Sequence, residues 1–262
     1  MSRMVWLNGA LVDPAGAGLS IDDPGVRYGE GLFETMRGQH GEIPWLERHL
    51  ARLERSIAAL GLDGMPPVAQ VRDAASSVAA ALGPGAARIR VTVTPHPTLL
   101  VDGASAQIDP TATLTAAAIR GAWRPDNRLA EHKTLSFLGW RDAQRQAQAL
   151  GADTALLLDA DGRMGEASTA NVFCVIGGEI VTAPIRGILP GVTRSFVSEM
   201  TTVREAALEE RVWRTADEMF QTSAVRGVVP IVACDGTPIG SGEGGPLTRE
   251  LRHAVAASLT DR

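Results

Sequence analysis

The chain has 262 residues, 45 % hydrophobic and 21 % charged, a balance that builds a core and excludes wholesale disorder. Its longest apolar runs, such as Ala155-Leu156-Leu157-Leu158, are too short to span a bilayer, and a net charge of −5 without a basic cluster argues against nucleic acid as the main partner. Two cysteines, Cys174 and Cys234, make no disulfide framework, and Met-Ser-Arg-Met-Val-Trp is not a leader pattern, so a cytoplasmic protein with reduced thiols is expected.

In chain order, Val5-Trp6-Leu7-Asn8-Gly9 predicts a strand running into a turn, and Asp22-Asp23-Pro24-Gly25 is turn chemistry. Leu32–Arg37 predicts a strand closed by Gly38. Leu46, Leu50, Leu53, Ile57 and Leu60 then recur at steps of four and three, an amphipathic helix stopped at Gly61. Pro66-Pro67 starts a second helix through Leu82, and the alternation of Arg88–Thr94 predicts a strand with arginines and threonines on one face. From about 96 to 113 the pattern dissolves, and 106–113 is expected to be an interdomain linker. A small α+β domain over 1–105 and a larger C-terminal domain over 114–262 follow from it. In the second, strands are expected at 114–122, 153–159, 171–176 and 179–183, with helices through Phe137, Trp140, Ala143, Ala147 and Leu150, after Pro190-Gly191 and over 247–259.

One count stands out. The 25 basic residues are 24 arginines and a single lysine, Lys133. A guanidinium cannot replace an amine that must deprotonate and form an imine with an aldehyde. By composition alone, chance in an arginine-favouring genome is the better account of the lone lysine, and its neighbourhood must decide.

Two other segments offer chemistry. Pro190-Gly191 opens a helix whose first N–H groups, at Val192 and Thr193, have no intrahelical acceptor, which makes an anion cup to which Thr193 adds a hydroxyl. Gly165-Glu166-Ala167-Ser168-Thr169-Ala170-Asn171 places one carboxylate at the head of a small, hydroxyl-rich turn, and a pyridine nitrogen kept protonated needs such a fixed anion. His96 and His132 have no metal-ligand partners at useful spacing, so no metal site is expected.

Together, Glu166 to Phe173, Leu189-Pro190-Gly191-Val192-Thr193-Arg194 and Lys133 in His132-Lys133-Thr134-Leu135-Ser136 resemble the class IV aminotransferases, the fold-type-IV pyridoxal-phosphate enzymes. The resemblance runs from Trp6-Leu7-Asn8-Gly9 through Tyr28–Glu34 and His49–Leu53 to Asp235-Gly236. It implies a two-domain α/β (α+β) fold of the D-amino-acid aminotransferase type, with pyridoxal 5'-phosphate between the domains, and a homodimer.

Carried over residue by residue, Lys133 resembles the Schiff-base lysine and Glu166 the partner of the pyridine nitrogen. Arg52 resembles the phosphate-binding arginine, Val192 and Thr193 the phosphate cup with Ser223 as a further donor, and Leu189 the residue packed on the ring. For the substrate, Arg88 and Arg90 on one strand face and Arg27 beside Tyr28 are the candidate carboxylate clamp, with Phe33 as a pocket wall. Branched-chain enzymes place a tyrosine shortly after the lysine. Here Lys133-Thr134-Leu135-Ser136-Phe137-Leu138-Gly139 is closer to D-amino-acid transaminases, and the only tyrosine is Tyr28. The implied reaction moves an amino group from a D-amino acid, or a primary (R)-amine, to pyruvate or 2-oxoglutarate by ping-pong. The alternatives are a 4-amino-4-deoxychorismate lyase, an L-branched-chain aminotransferase, and a non-catalytic carrier of the cofactor.

Overall fold

The computed structural model describes residues 3–260, in two units. One gathers the chain up to Ile108 with His132–Ser136 and the residues from Ser258; the other holds Asp109–Glu131 and Phe137–Ala257. No helix among the described residues is long and apolar enough to cross a membrane.

The first unit runs β1 (Arg3–Leu7), β2 (Ala10–Val12), α1 (Pro24–Tyr28), β3 (Leu32–Gly38), α2 (Leu46–Leu60), α3 (Val68–Leu82), β4 (Ala87–Val93) and β5 (Leu99–Ser105). Its antiparallel sheet has the order β2-β1-β5-β4-β3. The two helices form where the apolar period predicts, and α2 ends at Gly61, whose φ of 62° is the left-handed cap that glycine tolerates. Leu50, Leu53, Val71 and Val78 of the helices pack on Met36, Ile89, Val91 and Val101 of the sheet. Since strand side chains alternate, Phe33, Thr35, Arg37, Arg88, Arg90 and Thr92 share the opposite face.

Residues 96–113 are not patternless throughout, because 99–105 form β5, paired with β1 on one side and β4 on the other. Asp102-Gly103 mimics a turn in the sequence. In the fold a Cβ at Gly103 would collide with Val78 and Leu82, and Asp102 takes ion pairs from Arg3 and Arg88. Similarly, Asp23 does more than turn the chain. Fully buried, it caps α1 by accepting from Gly25 N–H (2.7 Å) and takes hydroxyl donors from Thr94 (2.9 Å) and Thr98 (2.6 Å).

The second unit contains β6 (Leu114–Ile119), a 3₁₀ turn (Arg128–Glu131), α4 (Leu138–Ala149), β7 (Thr154–Leu158), β8 (Met164–Ala167), β9 (Asn171–Ile176), β10 (Glu179–Thr182), α5 (Val192–Met200), β11 (Val203–Glu205), α6 (Glu210–Trp213), β12 (Glu218–Ser223), β13 (Gly227–Cys234) and β14 (Thr237–Pro238). The last helix, α7 (Pro246–Thr260), starts in it. The sheet order is β11-β10-β9-β12-β13-β6-β7-β8, with β14 beside β13. Leu156, Leu158, Val172, Cys174, Met219 and Ile231 centre one core, and Ala117, Ala143, Ala147 and Leu157 another under α4. Glu166 does not head a turn. It lies in β8, opposite Leu157 of β7, and Gly165 before it has the Trp123 ring where a Cβ would stand.

The segment His132–Ser136, which the sequence reading takes with the C-terminal domain, clusters with the first unit. Phe33 N–H donates to Lys133 O (2.8 Å) and Leu135 N–H to Gly31 O (2.9 Å), so the stretch is stitched along the start of β3.

Candidate active site

That stitching aims the lone lysine. Lys133 Nζ lies 4.4 Å from the centroid of the Phe33 ring, and the Arg90 guanidinium carbon lies 3.6 Å from the same centroid. Phe33 is buried, so one phenyl ring holds an amine and a guanidinium together by cation–π contact. Among the described residues Arg90 makes no hydrogen bond or ion pair, and burial followed by the charge of Arg88 lowers its proton affinity. An unpaired, half-buried guanidinium that shares a phenyl ring with an amine is suited to an incoming carboxylate.

The other clamp candidates are placed differently. Arg88 Nη2 donates to Asp102 Oδ2 at 2.8 Å, and Arg3 holds the other oxygen of that carboxylate at 2.9 Å. Arg27, in the last turn of α1, is exposed, 3.5 Å from Asp22 and 5.9 Å over the Tyr28 ring. Of the three arginines, the structure brings Arg90 to the lysine.

Arg52 is buried in α2 and forks onto Glu34 of β3, Nε to Oε1 at 2.8 Å and Nη2 to Oε2 at 2.6 Å. His49, one turn earlier, meets Glu34 Oε2 at 2.8 Å through Nδ1. Burial alone would raise Glu34, yet the Arg52 charge and the bonds from His49 and Arg52 hold it far below the usual carboxylate range. Burial pushes His49 below the usual imidazole range against the pull of Glu34. An ionised carboxylate only accepts, so Nδ1 of a neutral His49 carries the proton. One turn beyond Arg52, Ser56 Oγ lies 3.0 Å from Nδ1 of His132, the neighbour of Lys133. The α2 face thus carries a fixed guanidinium and braces the lysine segment.

In the second unit, Glu166 is the hub. Its Oε1 accepts from Trp140 Nε1–H at 3.1 Å, and its Oε2 accepts from Leu189 N–H at 3.1 Å and Asn171 Nδ2 at 3.5 Å. The same Asn171 amide donates to Leu189 O at 2.8 Å, so Leu189 is clamped at both backbone groups. Trp123 Nε1–H fixes Gly187 O at 2.8 Å, two residues upstream.

The loop then enters α5 through Gly191, which provides no side-chain cap to the helix start. Val192 and Thr193 are buried there, and Thr193 Oγ1 has no partner. Thr222 Oγ1 is likewise buried without a partner, and Thr222 is the register neighbour of Asn171. Two orphaned hydroxyls and an uncapped helix start are what a phosphate would satisfy. On this count the residues fit a phosphorylated cofactor. Ser223 is half-buried at the end of β12; the hydroxyl lacking a partner belongs to its neighbour Thr222.

Sequence reasoning missed Trp140 and Asn171 on Glu166, Glu34 and His49 on Arg52, and Thr222. Glu34 carried a signal, an acid between Leu32 and Met36 on the core-facing positions of β3. Asn171 is only five residues from Glu166 but meets it across the β8–β9 turn, and the remaining ones depend on register between distant segments.

The class IV amino-transferase family matches residues 31–234. The chain is 27 % identical to branched-chain-amino-acid aminotransferase-like protein 2 of Arabidopsis thaliana over 98 % of its own length and 50 % of that protein's, so it spans about half the length of this relative. It is 28 % identical to the D-alanine aminotransferase of Bacillus licheniformis, covering 97 % of this chain and 96 % of that one. A branched-chain amino acid aminotransferase from T.th., crystallised with pyridoxamine 5'-phosphate, superposes with a TM-score of 0.90 at 25 % identity, covering 99 % of this chain and 94 % of that one. With the family match running over most of its length, the chain belongs to the class IV aminotransferases, a family of pyridoxal-phosphate enzymes.

Proposed function

We propose that the protein is a transaminase that moves the amino group of a D-amino acid to a 2-keto acid such as pyruvate or 2-oxoglutarate. The observation that carries this reading is that Lys133 and Arg90 both lie over the Phe33 ring, which puts a reactive amine and an unpaired group able to grip a carboxylate on one buried side chain. Bound pyridoxal phosphate supplies an aldehyde for an amine and a ring that accepts an electron pair.

The chain's own residues do the rest. Lys133 Nζ takes the Cα proton of the amino donor in one half-reaction and delivers a proton to the Cα of the keto-acid acceptor in the other, while Arg90 orients each by its carboxylate. Glu166 keeps its partner ring nitrogen protonated. The start of α5, with Val192, Thr193 and the hydroxyls near Thr222 and Ser223, holds phosphate, and in the first unit Arg52 is a guanidinium locked in orientation by Glu34 and suited to an anion.

Similarity to a D-alanine aminotransferase along the full chain, and the residues that follow Lys133, favour D-donors. A second reading, an L-branched-chain donor, is favoured by the likeness to the T.th. branched-chain enzyme. Paired L- and D-forms of alanine, glutamate and leucine, each with 2-oxoglutarate, test it. Faster turnover of the D-forms is expected. Dominance of L-leucine would replace the first reading by the second, and pyruvate release from 4-amino-4-deoxychorismate without consumption of keto acid would overturn transamination.

A further inference from the structure

Trp140 occupies a position for which the roles above require no tryptophan. It lies in the first turn of α4, its ring stacked on Phe137 with centroids 5.2 Å apart and planes 2° from parallel. The indole is only partly buried and has a single polar atom, a donor. That donor is spent on Glu166 Oε1. The opposite oxygen is taken by Leu189 N–H and Asn171. A carboxylate held on both oxygens from two directions cannot rotate about its last bond without breaking a hydrogen bond.

The geometry points to Trp140 as a positioning residue that fixes the rotation of the Glu166 carboxylate and draws off part of its charge. The inference rests on the reading of Glu166 as the partner of a ring nitrogen. Donors to a carboxylate favour its ionised form and make it a weaker base. Glu166 so held stays ionised opposite a protonated ring nitrogen and does not strip its proton. Phe137 sets the plane of the indole, and the α4 core beneath it, Ala143 and Ala147 against Leu157, sets its depth. The donor therefore comes from a rigid element, not from a mobile surface chain.

Trp140→Phe tests this, because it keeps an aromatic ring to stack on Phe137 and removes the pyrrole half of the indole with its N–H. The first arm uses the protein without cofactor. The chain has five tryptophans, and the indole ¹⁵N–¹H signal lost in Trp140→Phe belongs to Trp140. Glu166→Ala should move that signal upfield and leave the others in place; an unmoved signal would overturn the hydrogen bond and the proposal with it. The second arm loads the protein with ring-¹⁵N pyridoxal phosphate. Trp140→Phe should shift the ring nitrogen toward its unprotonated position and slow the half-reaction about ten-fold, with cofactor affinity nearly unchanged. An unaltered ring-nitrogen shift and rate, at wild-type melting temperature, would reduce Trp140 to packing and overturn its positioning role. Failure of the wild-type protein to bind the cofactor would overturn the transaminase reading, and is recognised because the first arm gives its result without cofactor.

Discussion

Asn171 Oδ1 fills the space that a Cβ on residue 191 would need, so only glycine fits at the start of α5. The same asparagine bonds Glu166 and Leu189, and a methyl at 191 would disturb carboxylate and helix start together. Gly191→Ala is expected to weaken pyridoxal-phosphate binding roughly ten- to a hundred-fold, the scale of an overpacked contact. Absorbance titration of the cofactor-free protein measures it. Wild-type affinity in the variant would show that Asn171 can retreat freely.

Lys133 is the only side-chain amine available for imine chemistry. Borohydride treatment of the protein with pyridoxal phosphate should place a stable label on Lys133 and on no other side chain, as read by peptide mapping. A labelled protein with an unlabelled Lys133 peptide would remove the lysine from the reaction.

Arg90→Met should separate substrates by their charge. Losing a charge-assisted pair to a carboxylate is expected to lower kcat/KM roughly ten- to a hundred-fold for amino acids. (R)-1-Phenylethylamine, which has no carboxylate, should be nearly unaffected. Parallel losses on both donors would mean that the variant damages the fold or the lysine rather than recognition.

The buried Glu34, His49 and Arg52 group makes stability fall in acid. His49 titrates below the ordinary 6.5 when folded, so the unfolded chain binds its proton first and stability declines as pH drops below about 6.5. Glu34, held low in the fold, adds its own decline below about 4.5, where the unfolded carboxylate protonates first. Calorimetry should show a melting temperature that decreases through both windows, and His49→Gln should flatten the upper one. Glu34→Gln, which strands a buried guanidinium, should cost about 3–5 kcal/mol near neutral pH. An unchanged pH slope in His49→Gln would assign the acid loss to other groups.

What the sequence revealed and what it hid follow from the range of the interactions involved. The helices α2 and α3 and the strand β4 are legible because their apolar spacing is local and their ends carry glycine or proline. Strand β5 is hidden by Asp102-Gly103, whose meaning lies in Arg3, Arg88 and the α3 side chains across the sheet. Strand β13 carries Pro230 opposite Phe220 in the sheet interior, where a missing donor normally argues against a strand. At the candidate site, Lys133 and Glu166 are legible as chemistry, one by its rarity and one by its surroundings. The groups that aim them, Phe33, Trp140 and Asn171, reach them across separate segments of the chain. Arg88 and Arg90 look equivalent in sequence, and register does not separate them either, since Asp102 stands opposite Arg90; it is the diagonal bond from Arg88 to Asp102 that makes one arginine occupied and leaves the other available.

The buried Asp23 joins pieces of chain some seventy residues apart, since its carboxylate holds Gly25 on one side and Thr94 and Thr98 on the other. Helix α1, with Arg27 and Tyr28, therefore travels with the β4–β5 turn as one rigid body. Shortening or lengthening the Pro95-His96-Pro97 tip would be felt at Tyr28, and faster amide exchange at Gly25, whose N–H donates to Asp23, would report the loss. Loop exchange between related chains would have to carry both segments together, because each is the other's anchor.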